Sequence, residues 1–312
     1  MRVRFWGVRG SLPSPQLPSH IKSKISAILE RLSPEDLESP ESRERFLSDL
    51  PPWLFGTVGG NYPCVSVEVE DTMLIFDAGS GIRELGLALE KEKPGRRDLH
   101  LFFSHFHWDH IMGLPFFIPA YNPNIKLDFY SPKEEMEAVL NGQMCAPCFP
   151  IKMEVMGSKK EFHTLRGGSI QLPGCRIFYR KMNHPGDSYS YKIDTGKSCF
   201  IYSTDTELIA SDFIKNEENI AFYTGADLLV MDSQYTLGEA IDKYSWGHSA
   251  FSMAVDFAAN WNIPHMVLFH HDPGYDDHKL YNNLQSAKWY TERMNIKGLK
   301  LSLATEGLEI IV

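Results

Sequence analysis

Leu99-His100-Leu101-Phe102-Phe103-Ser104-His105-Phe106-His107-Trp108-Asp109-His110-Ile111-Met112-Gly113-Leu114 is the stretch from which the rest of the chain is read. Its first six residues are apolar enough for a buried strand, and the last five read as the start of a helix. Between them, three imidazoles and a carboxylate fall within six residues. A loop at the C-terminal end of a strand is where open α/β sheets place their chemistry. Alternation sends the rings of His105 and His107 the same way, so both can reach one cation. Asp109 and His110, further round the turn, suit a second. Imidazole favours zinc, iron and other transition metals, and a carboxylate beside it admits zinc or manganese.

Three other apolar runs end in polar motifs. Cys175–Arg180 leads to Asn183-His184-Pro185-Gly186, Cys199-Phe200-Ile201 to Tyr202-Ser203-Thr204-Asp205-Thr206, and Met266-Val267-Leu268-Phe269 to His270-His271. In this order, together with the His-x-His-x-Asp-His block, they resemble the successive ligand motifs of the metallo-β-lactamase superfamily. The resemblance runs from the N-terminal strand to His271. It implies an α/β chain folded as an αββα sandwich around two divalent cations, zinc first, with manganese or iron as alternatives. Carried over by position, the first cation takes His105, His107 and His184. The second takes Asp109, His110 and His270, with Asp205 between the two. His270 is preferred to His271 because it directly follows the apolar run. Asp205 by itself also reads as a cap for a segment beginning at Thr206. Two such cations bring the pKa of a shared water toward neutrality. Asp109 can accept a hydrogen bond from that water and aim its lone pair.

Further residues select a branch of the superfamily. Asp205 stands where the antibiotic-hydrolysing zinc enzymes carry a cysteine. The N-terminal Met1-Arg2-Val3-Arg4-Phe5-Trp6 opens into a strand with no signal-peptide apolar region. Leu228–Thr236, containing Asp232, and Trp246-Gly247-His248-Ser249-Ala250 resemble the paired acid and histidine motifs of transfer-RNA 3′-processing endonucleases and their phosphodiesterase relatives. There a glutamate orients a histidine that protonates the leaving oxygen. Here Asp232, one methylene shorter, would act on His248, raising its pKa so that it keeps a proton. Ser249 also reads as an N-cap for a helix over Ala250–Ala258. Between His184 and Asp205 the pattern predicts only a hairpin turning at Thr195-Gly196, without the long substrate-gripping arm of the RNA-processing members. Gly59-Gly60-Asn61 offers free backbone N–H groups for an anion, and Arg9 offers charge for the same phosphate; both also read as plain turns flanking the first strands.

The 312 residues, 43% hydrophobic, can bury a full core, and the motif order favours one domain spanning 1–312. Five cysteines suit a reducing cytosol better than a disulfide framework, which predicts a cytoplasmic protein. No apolar run is long enough to span a membrane. Predicted strands are Met1–Gly7, Cys64–Glu70 and Met73–Asp77, with a helix from Ile82 to about Lys91. A helix from about His278 to Met294 and a closing hairpin, Lys300–Ala304 with Gly307–Val312, end the chain. Two insertions stand outside this frame. In 14–55, Ile21, Ile25, Ile28, Leu29 and Leu32 follow helical spacing, and Ser33-Pro34 and Ser39-Pro40 read as helix starts. This insertion suits a lid, a homodimer contact or surface decoration. The other, about 130–165, holds a helix near Pro132–Gly142 and the pair Cys145 and Cys148. That pair has zinc-knuckle spacing without a second pair, so it reads first as part of a proline-stiffened pocket wall.

The expected function is therefore a dinuclear phosphodiesterase acting on small or cyclic phosphodiesters such as cyclic nucleotides. The net charge of −9 argues against a large nucleic acid, whose phosphates need clustered Lys and Arg. The alternatives are an endoribonuclease of the transfer-RNA 3′-processing type and a lactone or thioester hydrolase, which lacks the Asp232/His248 pairing. A diiron redox protein would need an electron-donor domain.

Overall fold

A computed structural model describes residues 1–93, 95 and 97–312. The first half supplies strands β1 (Arg2–Gly7), β2 (Cys64–Val69), β3 (Thr72–Phe76), β4 (Asp98–Phe102), β5 (Lys126–Ser131) and β6 (Lys159–Thr164). The second supplies β7 (Ser169–Leu172), β8 (Cys175–Lys181), β9 (Tyr189–Asp194), β10 (Cys199–Ser203), β11 (Leu228–Asp232), β12 (His265–Phe269), β13 (Lys300–Leu303) and β14 (Glu309–Ile311). They form two seven-stranded sheets, in the orders β14-β1-β2-β3-β4-β5-β6 and β13-β12-β11-β10-β9-β8-β7. β3 to β6 run parallel in one sheet and β10 to β13 in the other; the remaining pairs are antiparallel.

The parallel strands read as continuous apolar runs because both of their faces are covered. In β3, Leu74 and Phe76 enter the core between the sheets, whereas Met73 and Ile75 enter a second cluster outside the first sheet. Aromatic rings tie the sheets together: Phe76 packs on Tyr191, Phe200 and Tyr202, and Phe5 on Phe269. Helices fill the outer faces. In chain order they are α1 (Pro18–Leu29), α2 (Pro40–Asp49), α3 (Pro52–Phe55), α4 (Ile82–Glu92), α5 (Trp108–Ile111), α6 (Met136–Gln143), α7 (Glu217–Tyr223), α8 (Leu237–Asp242), α9 (Phe251–Asn260) and α10 (Asp277–Arg293). α4 buries Ile82, Leu85 and Leu89 against the first sheet; α9 and α10 bury Val255, Phe257, Leu280 and Leu284 against the second. The result is the αββα layering expected from the motifs. No helix of the described residues is long and apolar enough to cross a membrane.

Several local expectations change. The closing hairpin does not form: β13 pairs parallel with β12, whereas β14 crosses to the other sheet and pairs with β1. Two edges, each lacking a partner, outcompete one local turn. The 130–165 insertion ends earlier than expected, because Lys159–Thr164 is the edge strand β6 beside β5. In 14–55 the serine–proline starts hold: Ser33 N–H donates to Asp36 Oδ2 at 2.9 Å and Ser39 Oγ accepts Ser42 N–H at 3.1 Å. Helix α1 forms, but it buries no residue, and Ile21, Ile25 and Leu29 remain exposed. Its polar side is what attaches it, through Lys24 Nζ to Asp277 Oδ2 at 2.5 Å and to the Gly56 carbonyl at 2.7 Å.

Candidate metal centre

The ends of β4, β8, β10, β11 and β12 converge where the parallel strands finish. Two groups of side chains could each hold a metal ion: His105, His107, His184 and Asp205, and beside them Asp109, His110, Asp205 and His270. Asp205 faces both with different oxygens. Oδ2 lies 3.6 Å from His105 Nε2 and 3.7 Å from His184 Nε2; Oδ1 lies 3.1 Å from both His110 Nε2 and His270 Nε2. Asp109 Oδ2 lies 3.4 Å from His110 Nε2 and 3.3 Å from His270 Nε2. His107 Nδ1 and His184 Nε2 are 3.2 Å apart. Every sequence-derived ligand is thus in one of the two groups.

The donor set fits a pair of cations. His105 Nε2 and His110 Nε2 are buried and make no hydrogen bond, which costs free energy unless a positive ion faces them. Burial holds His105, His107 and His184 below the usual imidazole range, with neighbouring histidines adding to it for His105 and His107, so these rings are neutral and free to ligate. Burial also opposes charge on His110, but Asp205, Asp109 and Asp77 outweigh it and raise its pKa well above normal. Asp109 and Asp205 are held well below the carboxylate range; burial works against this, and His110 and His270 overcome it.

The backbone and a surrounding hydrogen-bonded layer set these positions. Asp205 and His270 have φ of 44° and 60°, in the left-handed region where non-glycine residues are uncommon. Gly10 permits the approach of His270, since a Cβ there would sit 2.3 Å from its ring. Gly247, at φ 88°, accepts a hydrogen bond from His184 Nδ1 at 2.8 Å through its carbonyl; a Cβ on it would sit 2.3 Å from that nitrogen. Ser11 N–H donates to Asp109 Oδ2 at 2.8 Å. His270 Nδ1 meets Gln234 Oε1 at 3.0 Å. His271 turns away, its Nε2 on the Ala304 carbonyl at 2.9 Å.

The sequence reading gave no role to Asp77. It follows β3 at φ 60° and is fully buried, 2.8 Å from His110 Nδ1, and it accepts from Ser104 N–H at 2.7 Å and Tyr202 OH at 2.9 Å. A carboxylate behind a histidine fixes the ring and leaves the other nitrogen for a metal. The signal available was an acid closing the apolar run Met73-Leu74-Ile75-Phe76.

Asp232 and His248 meet beside these groups. Asp232 Oδ2 is 2.7 Å from His248 Nδ1, so the shorter acid does reach the ring. His248 stacks on His270 with centroids 5.0 Å apart and meets His184 edge-on at 5.2 Å. Burial opposes its protonation, yet Asp232, with Asp205 and Asp109 behind it, pushes its pKa up to about 9. Ser249 is not the N-cap of α9, which begins after Ala250; its hydroxyl donates to the Thr206 carbonyl at 2.6 Å.

Arg9 and the glycine turn do not form an anion site. The Arg9 guanidinium is 1% exposed, bound to the carbonyls of Gly59, Asp272 and Tyr275 and 3.7 Å from Asp277. Asn61 N–H and Nδ2 already hold Glu306, at 2.6 and 3.0 Å. Cys145 and Cys148 are exposed free thiols and join none of the metal-competent groups of the described residues. Asp128, Glu161 and His163 form another acidic group, but Lys126 Nζ neutralises it at 2.9 and 3.0 Å.

Residues 72–271 match the family model described as Beta-lactamase superfamily domain, a span that holds all seven candidate ligands, His105, His107, Asp109, His110, His184, Asp205 and His270. The chain is 25% identical over 277 residues to Ribonuclease Z of Picrophilus torridus, covering 72% of this chain and 84% of that one. Among solved structures, it is similar to a diphosphatase from the PhnP family, with TM-score 0.64 and 18% identity over 100% of this chain and 97% of that one. The short form of human tRNase Z gives TM-score 0.63 and 16% identity, covering 100% of this chain and 99% of that one.

Proposed function

The chain belongs to the beta-lactamase superfamily and is a dinuclear metallo-hydrolase of that superfamily; from that premise we propose that it hydrolyses phosphodiesters, small or cyclic ones such as cyclic nucleotides in preference to folded RNA. We assign one cation to His105, His107 and His184, the other to Asp109, His110 and His270, and Asp205 to both. Zinc is the proposed metal, with manganese or iron as alternatives. Two cations there would supply Lewis acidity, lowering the pKa of a water and offsetting charge on phosphoryl oxygens.

The observation that carries the reading is the 2.7 Å contact of Asp232 with His248 at the edge of the metal groups. Phosphodiester cleavage expels an alkoxide, a poor leaving group without a proton. His248 Nδ1–H is held by Asp232, so Nε2–H is the proton available to the departing oxygen. A thioester hydrolase has little need of such an acid, because thiolate leaves readily. Asp109, fixed by Ser11 N–H at 2.8 Å, is assigned the orientation of the attacking water in addition to its place as a ligand.

The small-substrate preference is supported by the interval from His184 to Asp205, which contains only the β9–β10 hairpin, and by the net charge of −9. Transfer-RNA 3′ processing is the second reading, favoured by the Ribonuclease Z relative. Metal-loaded enzyme assayed on cyclic nucleotides, other small phosphodiesters and a transfer-RNA precursor separates them. The first reading expects small esters to be turned over better, with weak salt dependence. Binding through six to ten phosphates would instead lose about 10³–10⁵ in affinity between roughly 50 and 200 mM salt. Efficient, salt-sensitive cleavage of the precursor replaces the first reading by the second.

A further inference from the structure

Strand β11 ends at Asp232, and the chain just beyond it pins Tyr235 beside the loop that carries His248. Tyr235 N–H donates to the Ser249 carbonyl at 3.2 Å, and its own carbonyl accepts Phe251 N–H at 2.9 Å, so the two segments pair at Ala250. The ring meets His248 edge-on, with centroids 5.8 Å apart. Lys243 Nζ lies 4.1 Å from the centre of the ring and is itself held by Asp272 Oδ2 at 3.4 Å. A cation over the face of a phenol attracts it, so the ring is fixed from that side too.

The ring is 2% exposed, yet its hydroxyl is uncommitted. Among the described residues six tyrosines are buried, and five of their hydroxyls are hydrogen-bonded, Tyr202 to Asp77 at 2.9 Å and Tyr62 to the Ser11 carbonyl at 3.1 Å among them. The Tyr235 hydroxyl has no such partner among the described residues, and its oxygen is not sealed from solvent. Polar groups on buried side chains are normally satisfied, so this exception calls for an acceptor from outside the chain. Asp232 cannot serve, since its oxygens already take His248 and the N–H groups of Gln234 and Ser249. Burial first, then Asp232, Asp272 and Asp205, raise the phenol's pKa above its ordinary value. The proton therefore stays in place, and the group can donate a hydrogen bond but cannot act as a base. Asp205 also faces both metal groups, so the hydroxyl lies within electrostatic reach of the carboxylate between them.

We propose that Tyr235 is a further catalytic residue whose hydroxyl donates a hydrogen bond to a phosphoryl oxygen of the substrate, on the side where His248 meets the leaving group; this rests on the phosphodiesterase reading above. His248 already supplies the proton for the departing oxygen. The phosphoryl oxygens carry the negative charge, and a fixed neutral donor stabilises it without moving a proton.

Tyr235→Phe tests the assignment, because it removes only an oxygen that no described residue bonds. The urea midpoint and the metal content should stay as in the unmodified protein. With metal loaded, kcat/KM should fall about 10- to 10³-fold, and by the same factor on an alkyl phosphodiester and its p-nitrophenyl counterpart. Calorimetric titration with inorganic phosphate, which needs no turnover, should show Kd rising about 10- to 150-fold in the variant. Unchanged kcat/KM or unchanged phosphate affinity overturns the proposal. So does a loss confined to the alkyl ester, which would make the hydroxyl an accessory of His248, or a loss that comes with a lower urea midpoint or less metal. Phosphate binding that depends on Tyr235 in a protein that hydrolyses no phosphodiester would sink the phosphodiesterase reading and leave the donor standing. Equal phosphodiester hydrolysis by both proteins would sink the donor alone.

Discussion

Replacing Asp232 with asparagine removes one charge and leaves most of its scaffold role in place. Asp232 Oδ1 accepts the N–H groups of Gln234 and Ser249, each at 3.2 Å, and an asparagine oxygen can keep both. At Oδ2 the amide nitrogen would face His248 Nδ1, now 2.7 Å away, and Thr206 N–H at 3.3 Å. His248 must then present an unprotonated Nδ1 to it and becomes neutral. The interval from the ordinary 6.5 to about 9 represents roughly 3 kcal/mol favouring the imidazolium. Without the carboxylate, burial acts almost unopposed and the ring falls toward or below 6.5. At about pH 8 the protonated fraction would drop some 30-fold. Bound cations lower the pKa in both proteins, and the loss then approaches about 300-fold. The assay is kcat/KM for an alkyl phosphodiester divided by kcat/KM for its p-nitrophenyl counterpart, followed with pH. The quotient cancels metal occupancy, and p-nitrophenolate leaves without a proton. It should fall in Asp232→Asn near pH 8 by about 30- to 300-fold and recover as the pH drops toward about 6. A quotient that Asp232→Asn leaves unchanged throughout this range refutes the assignment of His248 as the acid.

Asp205→Ala should lose metal at both positions, because each of its oxygens faces a different group; elemental analysis showing two full equivalents in the variant would contradict the bridge. His110 is held protonated by Asp205, Asp109 and Asp77 against the effect of burial, so binding a cation should expel that proton. Titration calorimetry at neutral pH in buffers of different ionisation enthalpy should show it, and buffer-independent heats would count against it. Gly247→Ala puts a methyl 2.3 Å from His184 Nδ1 and should weaken metal binding by about 10–100-fold, measured by competition with a chelator; unchanged affinity would mean that the loop yields freely. His271 is buried neutral, its pKa lowered to about 3 by burial and by Arg9. Its contribution to stability is complete above 6.5 and is lost as the pH falls toward 3, since the unfolded chain takes a proton that the native state refuses. His271→Gln keeps a donor for Ala304, so urea unfolding of the metal-free variant should show up to roughly 5 kcal/mol less decline over that range. An equal decline in both proteins would rule out His271 as the source.

The order of apolar runs, and the polar motif that closes each, is written in the local pattern of residues. A buried parallel strand needs an unbroken apolar stretch, and the residues just past it emerge at one end of the sheet. Leu99–Phe103 before His105 and Met266–Phe269 before His270 are therefore legible, and with them the αββα layers and the residues that gather into the two metal-competent groups. The reach of Asp232 to His248 was open in the sequence, because one methylene either closes a contact or does not; the relative placement of β11 and the loop before α9 closes it at 2.7 Å. Asp77 is silent in one dimension, since its partners Ser104, His110 and Tyr202 come from other strands and turns. The same holds for Arg9 and Asn61, whose exposed-looking polar groups are claimed by carbonyls and by Glu306 far along the chain. The last strands show why: a hairpin is the cheapest local pairing, but β13 and β14 gain more by completing two separate sheet edges. Local pattern dictates which segments become strands and where their chemistry emerges. Which buried polar groups meet depends on how separate strands and turns pack, from the 16-residue separation of Asp232 and His248 to the 245-residue separation of Asn61 and Glu306, and local pattern does not encode that packing.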